Sequence, residues 1–308
     1  MKHAFSNARL ELLAFFALTS IALPLLDAEA RCPGGIASVN PRFVQGALII
    51  IPVRINHKGP FDFMVDTGSQ VTVADPSLAS ELDLKPQGAV GLVSVANYAK
   101  ASIAVLETLE AGSLTVDKPF VLVKELEQIR AADTRIRGVL GENFLAHFDL
   151  LIDYRHKVVC LDATQTLAGF VHGEHIPLVA PQHPESELPY VERLVISARL
   201  SGAGPREILL QVDSGSDGPI LFPYPKGLEL KRLERAALQT SGANQAFAAL
   251  APQDMRIGAY ILSNISFVTP VRFGQSLPVP EEDGLLPTVL FQSVFISHAN
   301  RYVTFDPR

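Results

Sequence analysis

Tryptophan is missing from this 308-residue chain, aromatic residues make up only 7% of it, and cysteine occurs twice. Sugar-binding clefts lean on aromatic platforms, so this shortage argues against a carboxylate-pair glycosidase. Two cysteines without a histidine cluster beside them argue against a zinc site. The eight histidines are scattered, without the i, i+4 spacing of a helical metal pair flanking a glutamate. No metal and no cofactor is expected. Positive charge is also short: 26 Lys and Arg stand against 32 Asp and Glu, for a formal net charge of −6. No basic patch interleaves with aromatics, so nucleic acid is excluded as a partner. The chain has no phosphate-cradling glycine-rich loop and no low-complexity tract. Outside the N-terminal segment it has no apolar run near the roughly 20 residues that a membrane span needs.

What is present begins with a segment of different character. Lys2, His3 and Arg9 precede an apolar run from Leu12 to Leu26, and Ala28-Glu29-Ala30 places small residues where a signal peptidase reads. This predicts a signal peptide over residues 1–30, with an uncleaved anchor as the alternative. The mature chain is expected to be exported, periplasmic or secreted, with no stable membrane insertion after signal cleavage. In such a compartment Cys32 and Cys160 are candidates for one disulfide, which would pin the mature N-terminus to the end of the first half. Two unpaired thiols remain the open alternative, because sequence does not show distance.

The rest reads as strands. Ala47 to Ile55, a turn at Asn56-His57-Lys58-Gly59, and Pro60 to Val65 form a hairpin that delivers Asp66 at its end. Asp75, with Pro76 after it, caps a brief helix through Leu82. Gly88 to Val105 predicts a long hairpin, and Lys124 to Arg135 a polar helical segment. Asp66-Thr67-Gly68-Ser69 is echoed 147 residues later by Asp213-Ser214-Gly215-Ser216. Gly138-Val139-Leu140-Gly141 is echoed 146 residues later by Gly284-Leu285-Leu286-Pro287. Two landmarks kept in register over such a distance mean a duplicated β module. The proline-rich stretch from Gly173 to Pro189 marks a linker, dividing the chain into an N-terminal lobe, 31–180, and a C-terminal lobe, 181–308. Each copy carries enough apolar alternation to bury a core of its own.

An apolar strand running into a carboxylate holds that carboxylate at the mouth of a packed core, where an isolated charge is costly. If the two modules pack about an approximate two-fold axis, Asp66 meets Asp213, and the pair shares one proton. One member then acts as base toward a bound water and the other as acid toward a carbonyl oxygen. Thr67 and Ser214 are placed to hydrogen-bond across the interface. Ser69 and Ser216 are expected to donate to the outer carboxylate oxygens and to lower at least one pKa.

Val65-Asp66-Thr67-Gly68-Ser69, Val212-Asp213-Ser214-Gly215-Ser216 and Gly138-Val139-Leu140-Gly141 resemble the motifs of an aspartic peptidase of the pepsin/retropepsin superfamily. Two lobes in one chain with short modules look most like its bacterial, two-lobed, retropepsin-like members. The resemblance implies an all-β bilobal acid-protease fold, two homologous β-barrel-like lobes with the active site in the cleft between them. It also implies a monomer that cleaves peptide or protein substrates without a cofactor. In its terms Asp66 and Asp213 are catalytic, and Thr67, Gly68, Ser69, Ser214, Gly215 and Ser216 support them. Gly138, Val139, Leu140, Gly141, Gly284, Leu285 and Leu286 back the catalytic loops, and Asn97 or Tyr98 lies at the tip of a substrate-covering flap. Two departures stand out. Pro287 replaces a glycine, so the second backing loop is expected to sit differently, and Asp217 adds a third carboxylate, expected to point outward. A peptide-binding protein that kept the cleft and lost turnover is the alternative. His147, His156 and His298 receive no role, and Asp153 and Asp162 are strand-end residues.

Overall fold

The computed structural model describes residues 31–94, 97–179, 193–222, 230–239, 246–271 and 281–307. The expected signal segment and the middle of the expected linker lie outside them. Among the described residues no helix is long and apolar enough to cross a membrane.

The first half opens with β1 (Arg42–Val44), β2 (Leu48–Ile55) and β3 (Lys58–Val65), then β4 (Val73–Ala74) and the helix α1 (Pro76–Glu81). It continues with β5 (Gly88–Ser94), β6 (Asn97–Val105), β7 (Thr108–Ala111), β8 (Leu114–Asp117) and β9 (Phe120–Val123). After α2 (Glu127–Arg130) come β10 (Ile136–Leu140), α3 (Glu142–Leu145), β11 (Asp149–Asp153), β12 (Val158–Asp162) and β13 (Ile176–Pro177). The second half contributes β14 (Val195–Leu200), β15 (Glu207–Asp213), β16 (Ile220–Leu221), β17 (Arg232–Gln239) and β18 (Ala246–Leu250). It ends with β19 (Gln253–Ile257), β20 (Tyr260–Ile265), β21 (Val268–Pro270), β22 (Gly284–Pro287), β23 (Phe291–Ser297) and β24 (Tyr302–Pro307).

The duplication extends to nine strands of each lobe sheet, with β1, paired to β2, as an addition to the first. The first has the order β5-β6-β9-β4-β10-β3-β2-β7-β8, and the second β17-β18-β21-β16-β22-β15-β14-β19-β20. Register agrees as well. Gly138 lies opposite Phe63 in the parallel pair β3–β10, and Gly284 lies opposite Leu210 in β15–β22. The offset between copies is therefore preserved in the ladder as well as in the motifs. The fold is all-β and bilobal. As the cap sequence predicts, the Asp75 carboxylate accepts a hydrogen bond from the Ser77 amide at the start of α1, at 2.9 Å. Helix in the segment 124–135 is limited to one turn, Glu127–Arg130, because Ile136 onward is claimed by the sheet.

The third sheet belongs to neither lobe alone. Its order is β12-β11-β23-β24-β13, so strands ending the first half pair directly with strands ending the second. A bridge between Ser38 and Cys160 adds the segment before β1 to its far edge, and Cys32 and Cys160 form a disulfide there. The core is correspondingly shared, in contrast to the expectation of one core per lobe. A single apolar cluster runs from Ile51, Phe63 and Leu140 through Leu150 and Ile296 to Leu210, Val212 and Leu286. Residues from both copies fill it, because the odd-even alternation of β3 and β15 turns Phe63, Val65, Leu210 and Val212 to the same inner side.

Candidate active site

Asp66 and Asp213 leave the ends of β3 and β15, and each is followed by a tight turn. In the first lobe the Asp66 amide donates to the Leu140 carbonyl at 3.0 Å, continuing the β3–β10 ladder up to the carboxylate. The Asp66 Oδ1 then accepts from the backbone amides of Gly68, at 2.9 Å, and Ser69, at 3.1 Å. In the second lobe Asp213 Oδ1 accepts from the Gly215 amide at 2.7 Å. The sequence folds this way because an Asp side chain bonding two residues ahead builds its own turn, and glycine leaves room above it.

The two turns interlock. Thr67 Oγ1 donates to the Val212 carbonyl at 2.9 Å and accepts from the Ser214 amide at 3.0 Å. Ser214 Oγ donates to the Val65 carbonyl at 2.9 Å and accepts from the Thr67 amide at 3.1 Å. Thr67 and Ser214 are both buried, so these bonds form out of water, and all four cross between the lobes. Glycine at 68 and 215 is required by space. A Cβ on Gly68 would lie 2.6 Å from the Asp213 carboxyl carbon, and one on Gly215 would lie 2.5 Å from that of Asp66. Each glycine is thus the surface against which the opposite carboxylate rests.

The carboxyl groups hydrogen-bond each other, and both pKa values are raised. For Asp66 burial is the main cause, followed by the charge of Asp213 and the hydrogen bond to it, against which the Gly68 and Ser69 amides pull down. For Asp213 burial again dominates, offset by the Gly215 amide, by the hydrogen bond from Asp66 and by the Ser216 amide. Both shifts point the same way, so the pair holds one shared proton over a pH range in which isolated carboxylates are ionised. Lowering of one pKa by hydrogen-bond donors was the expectation from sequence. Desolvation wins instead.

The serine roles need correction. Ser69 Oγ donates to the Val71 carbonyl at 3.0 Å, and Ser216 Oγ to the Gly218 carbonyl at 2.8 Å. Short hydroxyl side chains find the carbonyl two residues on, so it is the serine amides that reach the carboxylates. Asp217 is exposed, pointing away from the pair as expected.

Behind the first turn, β10 and the N-terminal turn of α3 form the backing loop. The Gly141 amide donates to Thr72 Oγ1, and the amides of Glu142 and Asn143 donate to the carbonyls of Ser69 and Gln70. A Cβ on Gly141 would sit 2.6 Å from the Val71 carbonyl carbon, which is why glycine closes this motif. Val139 and Leu140 are buried behind it. In the second lobe Gly284, Leu285, Leu286 and Pro287 are all buried, but Pro287 continues the pairing with Asp213 and leads into a single 3₁₀ turn, Thr288–Leu290. Proline has no amide to repeat the Gly141 bond, so the second backing loop does sit differently.

Asn97 and Tyr98 begin β6, opposite Ser94 and Val93 across the hairpin. Residues 95–96 between the strands, and the side chains of Asn97 and Tyr98, lie outside the described set. His147 is exposed, and His156 is an exposed partner of Asp153, with 2.7 Å between Nδ1 and Oδ2. Asp153 and Asp162 end β11 and β12 as strand-end residues. His298 has a structural role that sequence reasoning missed. Its Nε2 is 2.9 Å from Glu142 Oε2 and its Nδ1 is 2.6 Å from the Phe148 carbonyl, although 156 residues separate it from Glu142. Gln211 was also missed, and its Nε2 donates to the Gly68 carbonyl at 3.0 Å. Among the described residues no group of three or more His, Cys, Asp or Glu is arranged to hold a metal ion.

With this geometry in view, the comparisons with known proteins cover part of the chain. Residues 51–144 match a family model described as aspartyl protease. No curated protein matches the chain. Among solved structures, a retropepsin-like aspartic protease from Rickettsia conorii is 22% identical, aligned over 43% of this chain and 86% of that one, with a TM-score of 0.28. The matched residues fall in the first lobe, and nine strands of its sheet recur in the same order in the second.

Proposed function

We propose that the protein is an aspartic endopeptidase that hydrolyses peptide bonds with a water activated between Asp66 and Asp213. The observation that carries this reading is the reciprocal pair of turns, each of which seats its glycine against the other's carboxyl group. In this mechanism the ionised member of the pair takes a proton from the water as it attacks the amide carbon. The protonated member donates to the carbonyl oxygen, and the tetrahedral intermediate breaks down when the leaving nitrogen gains a proton from the pair. No covalent enzyme intermediate is needed. The amides of Gly68, Ser69 and Gly215 fix the carboxyl groups on a rigid backbone, so little reorganisation is required as charge moves.

The substrate is an extended peptide or protein segment, bound between the lobes by a monomer. Residues 1–30 direct export, and the Cys32–Cys160 disulfide suits an oxidising compartment, periplasmic or extracellular. The test is cleavage of a mixed peptide library by the mature protein across pH, with and without pepstatin. Cleavage that pepstatin blocks is expected. Absence of cleavage at every pH removes the enzyme claim, and retained peptide affinity in that case identifies a binding protein.

A further inference from the structure

Gln211 breaks the symmetry of the two turns. It sits on β15 two residues before Asp213, so it shares a strand face with the carboxylate. The equivalent position in β3 is Met64, which packs in an apolar cluster with Ile50, Val73, Leu122 and Val139. Gln211 is just as buried, at 4% exposure, yet carries an amide. A buried side-chain amide in an apolar sheet face costs stability unless its donors are used. Its donor is used across the lobe interface, on the Gly68 carbonyl at 3.0 Å.

That carbonyl belongs to the same peptide unit as the Ser69 amide, which donates to Asp66 Oδ1 at 3.1 Å. Donation to the oxygen of a peptide polarises the whole unit and makes its N–H a stronger donor. Gly68 is also the residue in contact with the Asp213 carboxyl group. One side chain of the second lobe therefore acts on the first-lobe peptide that both bonds one carboxylate and faces the other.

We propose that Gln211 is a positioning residue for the carboxylate pair: through the Gly68–Ser69 peptide it holds the first-lobe turn and strengthens the amide bond to Asp66, favouring the pair's ionised form. Met64 cannot do this for the second turn, so the two carboxylates are made unequal by this contact in addition to their burial. The inference rests on the peptidase reading for its consequence in catalysis, but not for its physics.

The test follows the carboxyl carbons of Asp66 and Asp213 by ¹³C NMR through a pH titration, in the wild-type protein and in Gln211→Met and Gln211→Asn. Methionine keeps the volume and removes the donor, and asparagine keeps the amide but is too short to reach Gly68. Both variants are expected to raise the apparent pKa values of the pair by about half a unit and to speed hydrogen exchange at the Ser69 amide. Where cleavage is measurable, its pH profile moves the same way. A scalar coupling across the hydrogen bond from Gln211 Nε2 to the Gly68 carbonyl carbon is expected in the wild type and needs no variant. Titrations that superimpose in folded variants, with only a lower melting temperature, overturn the proposal, and so does absence of the coupling. The titration needs no turnover, so its failure is separate from a failure of the wild-type protein to cleave peptides.

Discussion

Asp66 and Asp213 differ in their access to water: Asp66 is half-buried, whereas Asp213 is only 6% exposed. Their folded-state pKa values both lie above the usual carboxylate range, with burial as the leading cause. A raised value in the folded state means that folding binds protons in the window between the unfolded and folded pKa. The stability this supplies is complete below the unfolded carboxylate value, near 3.9, and is lost as pH rises through the folded value. At neutral pH the pair is therefore a liability to the fold. Asp66→Asn keeps the shape and hydrogen-bonding capacity and removes one ionisation. It is expected to lower peptide cleavage between about a hundredfold and ten-thousandfold, the range for loss of a positioned acid or base. The same variant should melt at a higher temperature than the wild type at pH 7, with the gap closing toward pH 3, as followed by calorimetry. A variant that cleaves as well as the wild type would remove Asp66 from the role assigned to it.

The turn after β3 and the turn after β15 are each incomplete without the other. Thr67→Val deletes one hydroxyl of nearly unchanged volume, leaving the Val212 carbonyl and the Ser214 amide without their partner. Unsatisfied buried groups cost roughly 1–3 kcal/mol each, so a loss of about 3 kcal/mol is expected as a lower urea midpoint at unchanged slope. A midpoint that stays put would mean that the interlocking bonds are replaced by water. The register of these turns was legible in the sequence, because a motif repeated at two landmarks fixes β3, β10, β15 and β22 together. Orientation within the turns was not. The hydroxyls of Ser69 and Ser216 were expected on the carboxylates, yet local carbonyls compete for them at shorter chain distance. Pro287 announced a different second loop, since the lack of an amide is a property of the residue itself. Gln211 gave no such sign, because a glutamine in a strand reads as a solvent-facing position until the opposite lobe is in place.

At the scale of the molecule, the lobes are joined by a sheet that no local pattern predicts. The pairing of β11 with β23 links Leu150 to Ile296, and the continuous core behind it gives the two halves one cooperative unit. The contact of Glu142 with His298 belongs to this joint. Glu142 begins α3 directly behind the turn after β3, with its amide on the Ser69 carbonyl, while His298 lies in the turn between β23 and β24. Their side chains are 1% and 9% exposed. Burial pulls the imidazole pKa down, but the charge of Glu142, the hydrogen bonds to Glu142 and to the Phe148 carbonyl, and the charge of Asp149 outweigh it, and the net shift is upward. A histidine raised in the folded state contributes stability that is complete below its unfolded pKa, near 6.5, and fades as pH rises through its folded value. His298→Ala leaves the Glu142 carboxylate buried without its partner, a change expected to cost about 3 kcal/mol. Measured by urea unfolding at pH 5.5 and again at pH 9, the deficit relative to the wild type should shrink at the higher pH, where the wild type has itself lost the imidazolium. A deficit of equal size at both values would show that the histidine acts there by packing alone. A shrinking deficit, with cleavage reduced in parallel, would show that this charge pair holds the turn after β3 against the sheet that the lobes share.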